Sequence, residues 1–182
     1  MTKIVIMGGG PAGYEAALVA AQYGGDVTLI ERDGPGGACV IADCVPSKTF
    51  IASAGARTSV REANHLGITV PADSVTVNLA AVNRRVLDLA AAQSADVAAR
   101  LTAEGVDVIR GSAELADPQT GLAKHRVRIT TDVGDISEID ADVVLIATGA
   151  SPRILPDAVP DGERILTWRQ VYGLTSCPST SS

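Results

Sequence analysis

The sequence predicts an α/β fold with a parallel sheet, two long helices and a β-meander. Three observations carry that reading. A short apolar run, Ile4-Val5-Ile6-Met7, leads straight into Gly8-Gly9-Gly10-Pro11-Ala12-Gly13. An Ala-rich stretch and a second apolar run follow, which makes a strand–helix–strand unit with a short turn, the opening of a parallel sheet. Further on, Val82, Val86, Leu89, Ala90, Val97 and Leu101 recur at helical spacing, the mark of a long helix.

Taken in order, residues 3–7 read as a buried strand, 12–23 as a helix and 26–30 as a strand. Pro46-Ser47-Lys48 opens a long helix running to about residue 63, because proline in a first turn gives up no hydrogen bond. The second long helix spans roughly 79–103, and Gly105 ends it. Residues 106–109 form a short strand. Residues 126–131 and 135–139 alternate polar and apolar around Val133-Gly134, as in a half-exposed meander. The apolar run 143–147 reads as another buried strand, ending at Thr148-Gly149.

The bulk composition narrows the function. The chain has 182 residues, 46% of them hydrophobic, and a formal net charge of −6. That suffices for one domain with a core, or one domain and part of a second. An acidic balance argues against nucleic acid, which calls for clustered Lys and Arg. No apolar stretch is long enough for a membrane helix, and the N-terminus has no signal-peptide cleavage pattern. A cytoplasmic location is the expectation. Close cysteines there serve catalysis or metal binding more often than structure.

Gly8-x-Gly10-x-x-Gly13 lies between a predicted strand and a predicted helix. The first glycine permits the turn, the second lets backbone approach a pyrophosphate, and the third lets helix and strand pack closely. The helix N-terminus then aims free N–H groups at the phosphates. Glu31, at the end of the second strand, stands where an acid bonds ribose hydroxyls. The pattern by itself does not separate FAD from NAD.

Cys39 and Cys44 sit five positions apart, between Gly36-Gly37 and Pro46-Ser47-Lys48. In an unbroken helix they would point about 140° apart, too far apart for a disulfide. They can bridge only if the intervening segment bends. Cys44 lies near a helix start with Lys48 one turn inside, and both features favour a thiolate. The residues alone leave a redox pair and two plain core cysteines open. A metal site is not expected, since Cys177, His65 and His125 add no second short-spaced pair. The two histidines read as surface residues.

Pro35-Gly36-Gly37-x-Cys39-x4-Cys44-x-Pro46-Ser47-Lys48, after the GGGPAG start and Glu31, resembles the class I pyridine nucleotide–disulfide oxidoreductases. Ala147-Thr148-Gly149 is similar to that family's second flavin signature, and Gly111-Ser112-Ala113 to its adenine-facing segment. PSKTFIAS, AAAQSAD, GASPRILP and DGERILTWRQ resemble a branch of lipoamide-dehydrogenase-like NAD(P)H:quinone reductases from actinobacteria. The resemblance implies a Rossmann-like FAD-binding domain. It implies an oxidoreductase in which NAD(P)H reduces FAD, and the flavin reduces a disulfide or a quinone. It assigns Cys44 as the flavin-facing thiol and Cys39 as the interchange thiol, with Lys48 beside the flavin ring. Gly8, Gly10, Pro11, Ala12 and Gly13 would hold the pyrophosphate, and Glu31 the ribose. Arg32, Gly37, Ala38, Ala113, Thr148 and Gly149 join the implied cofactor-binding set. Between the cysteines, Val40-Ile41-Ala42-Asp43 replaces the Leu-Asn-x-Gly usual in disulfide-reducing members. Asp43 disfavours the neighbouring thiolate, which leans the reading towards quinone reduction.

The expected organisation is a partial FAD-binding domain over 1–155, a connector over 156–174 and a disordered tail over 175–182. No second Gly-rich fingerprint follows residue 150, so the sequence reads as truncated before the NAD(P)H domain. The interface domain through which complete relatives dimerise is likewise not seen. An alternative to an active enzyme is therefore a catalytically incompetent flavin-domain remnant, with a reading-frame shift near codon 175 as the expected cause of the abrupt change after Leu174.

Overall fold

The computed structural model describes residues 1–71, 74–117 and 124–176. They pack as two units, Met1–Ile41 with Ala92–Ser151, and Ala42–Ala91 with Pro152–Ser182. Cys177 and the rest of the expected tail beyond Ser176 lie outside the described residues.

The first unit is built on β1 (Lys3–Met7), α1 (Pro11–Gln22) and β2 (Asp26–Glu31), followed by a short helix α2 (Gly37–Ile41). After helix α4 (Leu79–Ala103) come β3 (Asp107–Arg110), β4 (Ser112–Ala116), β5 (His125–Thr130), β6 (Ile136–Ala141) and β7 (Val143–Ile146). Four strands form a parallel sheet in the order β3-β2-β1-β7, and the other three form an antiparallel meander, β4-β5-β6.

Apolar residues follow one another along β1 (Ile4 to Met7) and in β2 (Leu29-Ile30) because successive side chains of a strand face opposite sides of the sheet. Their side chains point to both faces, and both faces are covered. Val5, Met7 and Ile30 pack with Val127, Ile129 and Ala141 of the meander. Ile6, Val27 and Leu29 pack instead with Ala17 of α1, Val97 and Leu101 of α4, and Val106. Ile6 and Leu29 are fully buried, and each contributes about 1.5–3 kcal/mol. Truncating either would open a void between sheet and helices. The helical spacing read from the sequence thus predicts the extent of α4, and Val86, Ala90, Val97 and Leu101 of that stripe are buried, whereas Leu89 is 42% exposed. Gly105, with φ of +77°, ends it in the left-handed region that glycine adopts freely.

Three local expectations change. The run 143–147 is not a buried strand: Val143, Leu145 and Ile146 are 47%, 37% and 60% exposed. Among the described residues β7 pairs with β1 alone and stands at the sheet edge. Strand β4 is additional. Its alternation, Ser112-Ala113-Glu114-Leu115, runs for only four residues, and Leu115 is exposed; pairing of Ser112–Ala116 with β5 makes it a strand. The first of the two long helices starts at Cys44, two residues before Pro46. The Ser47 N–H donates to the Asp43 carbonyl at 2.8 Å, closing the first turn. Pro46 then sits where no intrahelical donor is needed.

The second unit carries α3 (Cys44–Glu62), a 3₁₀ turn at Ala63–Leu66 and the first turns of α4. The Asn78 side-chain oxygen accepts from the Ala81 N–H at 3.0 Å and caps α4. Asn83, 4% exposed, donates to the carbonyls of Val171 and Leu174 at 3.2 and 2.7 Å. The Phe50 and Tyr172 rings meet edge to face, 6.4 Å between centroids. These contacts hold the 3₁₀ turn Gln170–Gly173 onto both helices.

Across the meander, Arg126 faces Asp140 and donates from Nε to its carboxylate at 2.7 Å. That hydrogen bond holds the Asp140 carboxyl below its ordinary value. A lowered folded-state value stabilises above the unfolded one and is lost as pH falls through the lowered one. Acidification below about pH 4 is therefore expected to loosen the meander, and Arg126→Met to remove that part of the acid dependence. Melting curves from pH 6 to 2 check it; identical acid profiles for both chains would reject the pair as a stabiliser.

Candidate functional site: a nucleotide-binding cleft

The site begins where β1 stops. The Met7 carbonyl accepts from Ala147 N–H at 2.8 Å, and the Gly8 N–H donates to Ile30 O at 2.8 Å. The chain turns there with φ of +105° at Gly8. A Cβ at Gly8 would run into the Ala147 carbonyl oxygen, and one at Gly13 into the Gly8 carbonyl oxygen. These two glycines let β1, β7 and α1 converge. Gly10 differs. Its φ and ψ of −68° and −178° suit any residue, and a Cβ there would meet nothing within 4 Å. The space before Gly10 is open.

A second loop braces the first. The Gly36 N–H donates to Gly9 O at 2.8 Å. Gly37, with φ of +56°, lies so near Gly10 that an added Cβ would sit 2.7 Å from its Cα. Ser94 of α4 donates its hydroxyl to Pro35 O at 2.6 Å. The α1 N-terminus carries proline in its first turn and no acidic side chain. Its unpaired N–H groups and positive dipole end therefore suit an anion.

Glu31 ends β2 half-buried. One carboxylate oxygen accepts from Gly9 N–H at 2.6 Å and the other from Asp33 N–H at 2.7 Å. The residue read as a ribose ligand thus also ties both loops to the sheet. A carboxylate offers about four lone-pair sites, so acceptor capacity remains for a hydroxyl. The neighbouring Arg32 guanidinium is exposed and lies 3.2 Å from Asp33.

These elements surround a pocket of about 160 Å³ lined by Met7, Gly8, Ile30, Glu31, Arg32, Gly111, Ser112, Ala113 and Thr148. It lies at the carboxyl ends of β1 and β2, beside the point where strand order reverses between β1 and β7. That is the general ligand position in an open parallel sheet. Five residues singled out in the sequence, Gly8, Glu31, Arg32, Ala113 and Thr148, come together in it. Gly10, Gly13 and Gly37 shape the adjoining loops. Pro11, Ala12, Ala38, Cys39 and Gly149 do not line it, and Cys44 and Lys48 belong to the second unit. Sequence reasoning missed the bracing by Gly36 and Ser94. Their signal is a hydrogen bond to backbone from afar in sequence, which no local pattern carries.

The cysteine segment is bent, as a bridge would require. α2 ends at Ile41, Asp43 is non-helical with φ and ψ of −122° and −91°, and α3 starts at Cys44. Both cysteines are half-buried thiols. Tyr14 of α1 has its phenol raised above the ordinary value by burial, then by Glu15 and more weakly by Cys39. His65 and His125 are exposed. No group of three His, Cys, Asp or Glu among the described residues could hold a metal. None of the described helices is long and apolar enough to cross a membrane.

Comparison with known proteins bears on the family and the fold. The pyridine nucleotide-disulphide oxidoreductase profile matches residues 2–179, extending past Leu174. A protein of Mycobacterium tuberculosis named NAD(P)H dehydrogenase (quinone) is 59% identical over 181 residues, 98% of this chain and 37% of that protein. A dihydrolipoyl dehydrogenase of Bacillus subtilis is 34% identical over 178 residues, again 37% of its length. The crystal structure of LpdA from Mycobacterium tuberculosis superposes with a TM-score of 0.88 at 59% identity, covering 97% of this chain and 38% of that one. The chain thus spans just over a third of these relatives, all of it within the α/β flavoprotein fold. With the glycine loop, Glu31 and the Cys-x4-Cys segment in place, the chain belongs to the pyridine nucleotide-disulphide oxidoreductase family.

Proposed function

We propose that this chain is the FAD-binding part of an NAD(P)H-dependent flavoprotein oxidoreductase of the quinone-reducing kind. The observation that carries the reading is the pocket where Gly8, Glu31, Arg32, Ala113 and Thr148 meet beside the open space at Gly10. The residues fit an adenine dinucleotide. The cleft between Glu31 and Ala113 takes the adenosine, and the α1 N-terminus takes the pyrophosphate. When bound, the flavin supplies two-electron chemistry between a nicotinamide donor and an acceptor. In this reading Cys44 is the thiol that meets the flavin and Cys39 the one that exchanges. Lys48, one turn into α3, places a positive charge near Cys44. The 59% identity to a protein named for quinone reduction, and Asp43 in place of glycine, favour quinone over lipoamide as acceptor.

The domain boundary belongs to the same proposal, with the flavin part over 1–155 and residues 156–174 as connector. Within these 182 residues one Gly-rich fingerprint occurs, and we assign it to FAD. Reduction by a nicotinamide needs donor and flavin held together, which supplies much of such a rate.

The test is an absorption spectrum of the 182-residue chain after incubation with FAD and gel filtration. A retained flavin spectrum, not bleached by NADH, is expected. A colourless chain would overturn the flavin assignment, and bleaching would show that these residues also hold the donor. The cysteine assignment has its own check. After mild oxidation of folded chain with diamide, peptide mapping without reductant should find Cys39 joined to Cys44. Recovery of both as alkylatable thiols would reject a redox pair.

A further inference from the structure

In the second unit, α3, the start of α4 and residues 75–78 line a groove of about 500 Å³. Phe50 and Val60 of α3, Val75 and Val77, and Leu79 and Val82 form its walls. Val60 and Val77 remain 43% and 46% exposed, so this apolar surface is accessible. Its volume falls within the range of roughly 300–1,000 Å³ typical of small-molecule pockets.

The polar atoms on the lining are mostly committed to backbone. The Ser53 hydroxyl donates to Thr49 O at 3.4 Å, and the Asn78 side-chain oxygen accepts from Ala81 N–H at 3.0 Å. Arg57 is different. Among the described residues it is the one ionisable side chain on the lining. It has no hydrogen-bond or ion-pair partner among the described residues. Its charge is permanent, and its planar fork matches an oxyanion. Around it α3 is basic, with Lys48, Arg57 and Arg61 against the single acid Glu62, in a chain whose net charge is −6.

We propose that this groove binds an amphiphile with an apolar body and a single anionic head, the head paired with Arg57. The body displaces water from Phe50, Val60, Val77 and Val82. The head receives charge-assisted hydrogen bonds from a guanidinium that no group among the described residues occupies. Charge complementarity selects this occupant over a neutral one, since a wholly apolar ligand would leave Arg57 beside it unpaired. The proposal stands apart from the flavin reading and survives if that reading fails.

Calorimetric titration of the 182-residue chain with dodecanoate, below its micellar concentration, tests it. Saturable one-to-one binding is expected. Dodecanol and dodecyltrimethylammonium should bind roughly tenfold or more weakly. Arg57→Gln, an exposed position, should bring dodecanoate down to the dodecanol level. Ala81→Trp, also exposed and on the groove lining, should abolish binding by filling the space. Should Ala81→Trp fail to fold, the ligand series and Arg57→Gln decide alone. No saturable binding, or equal affinity of Arg57→Gln and the unsubstituted chain for dodecanoate, overturns the proposal. So does a concentration-dependent dimer that Arg57→Gln leaves intact and dodecanoate does not dissociate, because a second copy then fills the groove.

Discussion

Gly10→Val is expected to abolish FAD retention while leaving the melting temperature of the ligand-free chain within about 2 °C of the unsubstituted one. The backbone at Gly10 is extended, and a Cβ there touches nothing within 4 Å. Valine therefore costs the folded chain little. The open space at Gly10 is, in our reading, the path of the pyrophosphate, and two added methyl groups would fill it. A side chain there would also hold phosphate oxygens away from the α1 N–H groups that should receive them. At least roughly a hundredfold weaker binding is expected, about 3 kcal/mol. Flavin fluorescence after gel filtration, with a melting curve of the same sample, measures both quantities. Unchanged flavin content would remove Gly10 from the binding path and with it the phosphate assignment.

Gly13→Val should fail in the opposite way. Gly13 is buried, and its added Cβ would overlap the Gly8 carbonyl oxygen and come within 2.9 Å of its carbon. To relieve that contact α1 must move off β1, parting Ala17 from Ile6 and Leu29. Overpacking of this kind costs about 1–3 kcal/mol or more, and at the upper end lowers the melting temperature by roughly 6–12 °C. Flavin binding falls as well, but only because the folded fraction falls. Gly13→Ala should show the same loss in milder form. A Gly13→Val chain as stable as the unsubstituted one would mean that helix and strand do not rely on this contact. Together the two variants separate a glycine kept for a ligand from a glycine kept for packing.

The glycine loop was legible because each of its constraints is local. A strand, a turn and a helix N-terminus follow one another within a few residues, and backbone sterics dictate where side chains cannot be. The extent of α4 was legible for a related reason. Val86, Val97 and Leu101 lie on one stripe because the helical period puts them there, and that stripe meets the core. Strand β4 was not legible. Ser112-Ala113-Glu114-Leu115 alternates over four residues only, with a single large apolar side chain, and its strand geometry comes from hydrogen bonding to β5. The same holds for the edge position of β7. Val143-Val144-Leu145-Ile146 looks like a central strand in composition, yet its neighbours are set by topology.

The sequence by itself determined the parallel α/β framework, the glycine loop, the cysteine segment and the family. These rest on short-range patterns: periodicity, turn chemistry and residue spacing. Only the tertiary structure decided that Glu31 braces two loops through the amides of Gly9 and Asp33, and that Arg32, Ala113 and Thr148 share one pocket with Gly8. It also decided that Gly10 is open while Gly13 is closed, and that Arg57, with no hydrogen-bond or ion-pair partner among the described residues, stands on an apolar groove. Each of these depends on which distant backbone passes within a few ångströms. Chain folding sets that distance, and no local run of residues encodes it.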